Sequence, residues 1–145
     1  MNRYEEIKKI ADRYYNGIEN DENRAICFEH SQAVADCAKE IAEKENYNPE
    51  LVQIAGYLHD CAQYLEHGHH HAFRSSVMAR DMLVSSALFS TEEIHRIMNS
   101  IARHSDKDRV DGICDEILKN ADLLARKRCG DPVSDAAMER IKNYL

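Results

Sequence analysis

Glycine and proline are scarce, five and two among 145 residues. With so few breakers, and with apolar residues recurring at a 3.6-residue period, the chain reads as all-helical. No two cysteines stand as a CxxC pair, and the five present (Cys27, Cys37, Cys61, Cys114 and Cys129) are odd in number. This is the usage of a reducing compartment and excludes a disulfide framework. Nowhere do 18 apolar residues run together, and the first six residues lack the apolar core of a secretion signal. A cytoplasmic location is expected. Basic residues are also in deficit, giving a net charge of −7. That balance argues against nucleic acid or an acidic membrane as the main partner.

What is present suits one globular domain over residues 1–145. Hydrophobic residues make up 43% and charged residues 31%, and a chain of this size buries about 68–70% of its unfolded surface. The pattern predicts a compact helical bundle of six or seven helices. A first helix carries Tyr4, Ile7, Ala11, Tyr14 and Ile18. A second, from about Asn23 to Tyr47, buries Ile26, His30, Val34, Cys37 and Ile41. Asn48-Pro49 reads as an N-cap with proline in the first turn of a third helix, which runs through Leu51, Ile54 and Leu58 into His59-Asp60. A histidine-rich break around Gly68 precedes a fourth helix with Phe73, Val77 and Met82 apolar. Ser90-Thr-Glu-Glu93 has the form of a capping box and opens a fifth. The loop Asp106 to Gly112 leads to a sixth, with Ile117, Leu118, Ala121 and Ala125 inward. A short last helix restarts at Asp131-Pro132.

Three residues break the apolar pattern. His30 shares a face with Ile26 and Val34, His104 follows Ile97 and Ile101, and Asp122 lies between Leu118 and Ala125. A buried carboxylate is costly unless it is paired or bound to metal. One histidine on an apolar face is more often a satisfied core residue, and an isolated His-Asp pair more often an exposed helix end. Three such coincidences beside His59-Asp60 favour a metal centre. Adjacent helical positions point about 100° apart, so His59 and Asp60 can share an ion only beside the end of their helix. Imidazole and carboxylate together suit iron, manganese or zinc.

The order His30, His59-Asp60, His104, Asp122 resembles the HD-domain metal-dependent phosphohydrolases. The resemblance runs from about residue 24 to 128 and includes Ala55-Gly-Tyr-Leu-His59-Asp60 and Ile117-Leu-Lys-Asn-Ala-Asp122. Within that superfamily the chain is most similar to small bacterial proteins that hydrolyse diadenosine tetraphosphate symmetrically to ADP. The resemblance implies His30, His59, Asp60 and Asp122 on one metal, with His71, His104 and a bridging Asp60 on a second. His71 is chosen for its spacing to Ser75-Ser76; His67, His69 and His70 stay open as alternatives. Two divalent ions are implied, iron or manganese first. Ions ~3.5–4 Å apart share a hydroxide that is nucleophilic near neutral pH and clamp the phosphoryl oxygens. Asp60 and His59 would then be catalytic.

Gln63, Tyr64 and Gly68 stand where guanosine tetraphosphate hydrolases and nucleoside monophosphatases of the superfamily carry acids, which counts against both activities. The candidate phosphate-contacting cations are Arg126, Arg74, Arg24 and Arg103, with Arg126 favoured because i+4 places it on the face of Asp122. The expected partner is a small phosphorylated molecule, a nucleotide first, with a second copy of the chain as a further candidate. Asp106 to Gly112 fails as a calcium loop, lacking Gly at the sixth position and Glu at the twelfth, and reads as solvated. Cys61, beside Asp60, is not a nucleophile but could line the pocket. An oxygen-using di-iron enzyme and a non-catalytic metal-binding module are the alternative functions.

Overall fold

The structure, a computed structural model, describes residues 2–65 and 70–145. The seven expected helices are present as α1 (Arg3–Tyr15), α2 (Asp21–Lys44), α3 (Glu50–Leu58), α5 (His71–Ser86), α6 (Thr91–Arg103), α7 (Ile113–Arg128) and α8 (Asp135–Ile141). An additional short helix, α4 (Cys61–Leu65), follows the His-Asp pair. There is no strand among the described residues. His67, Gly68 and His69 lie outside the described residues, so the expected histidine-rich break does too.

The helix starts follow local chemistry. Asn20 caps α2 by accepting from the Asn23 N–H at 2.9 Å. The capping box forms in full, with Glu93 N–H donating to Ser90 Oγ at 3.1 Å and Ser90 N–H to Glu93 Oε1 at 2.9 Å. Asn48 Oδ1 accepts from the Glu50 N–H at 3.0 Å, so α3 starts one residue later than expected, with Pro49 as the flanking residue.

Helix α3 is central, packed against α1, α2, α6 and α7, while α5 covers α4 and α6. It approaches α2 closely because residue 56 is glycine. A Cβ there would lie 3.0 Å from Ala35 Cα, Ala35 N and Val34 O. Behind α3, Tyr15 and Tyr57 are buried, and Tyr15 donates to the Tyr57 carbonyl at 2.7 Å. Arg3 joins the bundle's edge, bonding Glu93 of α6 and Glu50 of α3.

Three expected core residues face outward instead. Tyr14 is 41% exposed, its buried place taken by Tyr15; Ile26 is 42% exposed and Phe73 64%. An apolar stripe on a helix is wide enough that one residue at its edge can fall on either side of the contact line. Tyr14 and Phe73 share a surface hollow of about 310 Å³ with Val77 and Met78.

Candidate metal centre

Helix α3 ends at Leu58, and the chain breaks for two residues before α4 begins at Cys61. The break resolves the angular problem of adjacent ligands, because His59 and Asp60 sit in a bend rather than on one helix. His59 is the C-cap of α3, and its Nδ1–H donates to the Gly56 carbonyl at 2.7 Å. His104 repeats the arrangement at the end of α6, with Nδ1–H donating to the Ile101 carbonyl at 2.6 Å. A backbone acceptor on Nδ1 fixes the ring and turns Nε2 inward, the arrangement usual for metal-binding histidines.

Four side chains converge. His30 Nε2 lies 3.2 Å from His59 Nε2, 3.1 Å from Asp122 Oδ1 and 3.7 Å from Asp60 Oδ2. His59 Nε2 is 3.2 Å from Asp60 Oδ2 and 3.5 Å from Asp122 Oδ1. Ligands held ~2.0–2.2 Å from one ion are separated by about 2.8–3.6 Å for right-angle to tetrahedral geometry. His30, His59 and Asp122 therefore fit a single divalent ion in type and in spacing, with Asp60 beside them. Asp60 turns its other oxygen, Oδ1, to His104 Nε2 at 3.3 Å, so one carboxylate spans two groups of donors. Those groups are His30, His59 and Asp122, and His59, Asp60 and His104.

His71 joins neither group among the described residues. It opens α5, and its buried Nδ1 has no hydrogen-bond partner among the described residues. An orphaned imidazole nitrogen at this depth is costly unless something accepts or donates there.

Burial and mutual attraction shape the charges. Burial would push the His59 imidazolium down, but Asp60 and Asp122 outweigh it and raise its pKa to about 10. Burial would raise both carboxylates; the facing histidines, with Lys107 for Asp122, hold both well below the usual range instead. The metal-free His59 is therefore protonated at neutral pH, and an ion must displace that proton. At pH 7 about one proton should be released per ion bound, and apparent affinity should fall about tenfold per unit of acidification. Calorimetry in buffers of differing ionisation enthalpy checks this; uptake without proton release would place the ion elsewhere.

A cavity of about 570 Å³ opens over the centre, lined by His30, Asp60, Gln63, Tyr64 and Arg126, among others. Ile26 lines it too, so its exposure is to this cavity's space. Of the sequence-derived cations, Arg126 faces the centre, its Nε 3.3 Å from Asp122 Oδ1. Arg24 is turned to Ile18 O and Asp21 at 2.8 and 2.6 Å. Arg103 bonds Asp115 at 2.9 Å beside a separate hollow of about 540 Å³. Arg74 is an exposed residue of α5 beside Tyr14 and Phe73. Cys61 does not line the cavity; it is fully buried, with Sγ directed to the Ser75 carbonyl.

Sequence reasoning missed Lys107, whose ammonium donates to Asp122 Oδ2 at 2.9 Å. Its only signal was its place in the loop three residues after His104. The reading of that loop as merely solvated is corrected by Lys119, which is fully buried and donates to the Arg109 carbonyl and to Asp111 at 2.9 and 2.8 Å.

A family model described as the HD domain matches residues 27–127. The chain belongs to the HD domain family. Its fold is similar to the crystal structure of a predicted HD superfamily hydrolase from an uncultured Thermotogales bacterium. That likeness has a TM-score of 0.70 and 22% identity over 97% of this chain and 74% of the other. No curated protein matches. No helix among the described residues of this HD domain is long and apolar enough to cross a membrane.

Proposed function

We propose that this HD domain is a metal-dependent phosphohydrolase acting on a small phosphorylated molecule, a nucleotide first. The observation that carries the reading is the convergence of three imidazoles and two carboxylates at ion-ligand spacing, reached through His30 and Asp60 from a cavity with an arginine at its edge. A bound divalent ion supplies Lewis acidity to a phosphoryl oxygen and a water nucleophilic near neutral pH. His30, His59, Asp60 and Asp122 would hold one such ion. Asp60 Oδ1 with His104, and His71 as implied by the family resemblance, would serve a second. Iron or manganese suits the mixed nitrogen and oxygen donors.

The finer reading is symmetrical cleavage of diadenosine tetraphosphate to ADP, and its support is the motif resemblance. Arg126 is half-exposed at the cavity's edge, where its guanidinium meets phosphate charge. Arg126→Ala should raise KM about tenfold, the loss of a charge-assisted contact of roughly 1.5 kcal/mol, and change kcat less; a changed kcat at constant KM would remove Arg126 from ground-state binding. The experiment that tests the function is product analysis with manganese- or iron-loaded protein. It would offer diadenosine tetraphosphate, nucleoside monophosphates and guanosine tetraphosphate side by side. Chelator-sensitive release of ADP from the dinucleotide establishes the finer reading. Release of phosphate from a monoester moves the substrate class but keeps the reaction. Metal bound at the site without turnover of any phosphorylated substrate would overturn the hydrolase reading.

A further inference from the structure

The two oxygens of Asp122 are used differently. Oδ1 faces the His30 and His59 nitrogens and Arg126. Oδ2 is taken by the Lys107 ammonium at 2.9 Å. Asp122 itself is fully buried, and Lys107 is not among the residues lining the cavity. This lysine therefore acts on the ligand rather than on whatever enters the cavity.

Its position is built. Arg140 of α8 donates from Nε to the Lys107 carbonyl at 2.9 Å and from Nη2 to the Arg109 carbonyl at 2.8 Å. The same guanidinium is held by Glu116 and Asn120 of α7. Buried Lys119 fastens Arg109 and Asp111 from the other side. A surface loop with no task has no need of two cations making four hydrogen bonds to its backbone and acids. Here they bring one ammonium to one carboxylate oxygen.

Resting on the metal-binding reading, we propose that Lys107 is a positioning residue that keeps Asp122 a one-oxygen ligand and tempers its donor strength. With Oδ2 engaged, Asp122 cannot close on an ion through both oxygens. The cation's charge also draws density from the carboxylate, leaving a bound ion more electron-poor and easier to exchange. Weakening one ligand in this way trades affinity for Lewis acidity.

The test is manganese affinity, measured on the full chain by competition with a fluorescent chelator. Lys107→Met should bind Mn²⁺ about tenfold more tightly, because a positive charge beside a ligand carboxylate repels the incoming cation and is removed. Lys107→Arg, which keeps the charge, should stay near the wild-type value. The EPR spectrum of bound Mn²⁺ should change in Lys107→Met as Asp122 Oδ2 becomes available, and be restored in Lys107→Arg. If the methionine variant does not fold, Lys107→Gln, uncharged but still a donor, should likewise tighten Mn²⁺ binding. Unchanged or weaker Mn²⁺ binding in the folded neutral variant overturns the inference while leaving the metal site standing. A wild-type chain that binds no divalent ion defeats the metal-binding reading and this inference with it.

Discussion

Asp60→Asn should reduce metal-dependent turnover by at least about 10³-fold, a loss of some 4 kcal/mol of transition-state stabilisation, while leaving the fold in place. Asp60 is the one carboxylate whose two oxygens reach two groups of donors, Oδ2 toward His59 and His30 and Oδ1 toward His104. The amide keeps the shape but presents one oxygen and one NH₂, so one side of the centre loses its acceptor whichever way the amide turns. It also loses the charge that sustains the His59 imidazolium. Circular dichroism would confirm the fold, metal analysis the lost ion, and product assays the lost turnover. Full turnover in this variant would mean that the reaction occurs elsewhere on the molecule.

Gly56→Val should damage the fold and the centre together. Helix propensity alone predicts the opposite for a mid-helix glycine, where even alanine gains about 1 kcal/mol. The neighbours decide the sign. A Cβ would press on Ala35 Cα, Ala35 N and Val34 O, all backbone atoms at 3.0 Å, and backbone cannot rotate aside as a side chain can. Overpacking of this kind costs about 1–3 kcal/mol, a fall in Tm of roughly 2–4 °C for each. The second effect is on chemistry. Gly56 supplies the carbonyl that orients His59, so displacing α3 from α2 turns a ligand, and metal affinity should fall about 10–100-fold. Gly56→Ala should show the same pattern more mildly. A wild-type Tm and Kd for Gly56→Val would show that the helices separate freely here.

The centre was legible because its cost was legible. His30, His104 and Asp122 stood on apolar stripes, and an ionisable group in such a position needs a reason. The capping box at Ser90 was equally plain, since both partners lie within one turn. The break between α3 and α4 was hidden because neither proline nor glycine marks it. The outward turn of Ile26 was hidden for a different cause: an apolar residue lining a cavity obeys the same periodicity as one in the core. Lys107 and Lys119 were out of reach for a third reason. Their partners lie across an irregular loop, where no period relates one residue to the next.

The donors of the centre come from α2, the end of α3, the end of α6 and α7, and His30 is 92 residues from Asp122. No short stretch of the chain could assemble them, so uptake of an ion reports that α2, α3, α6 and α7 have packed together. An unfolded chain offers scattered single ligands and competes poorly. At an ion concentration a hundred times Kd the native state would gain about 2.7 kcal/mol by mass action. The ion thus becomes a witness to the meeting of these four helices, held only while α2, α3, α6 and α7 stay together.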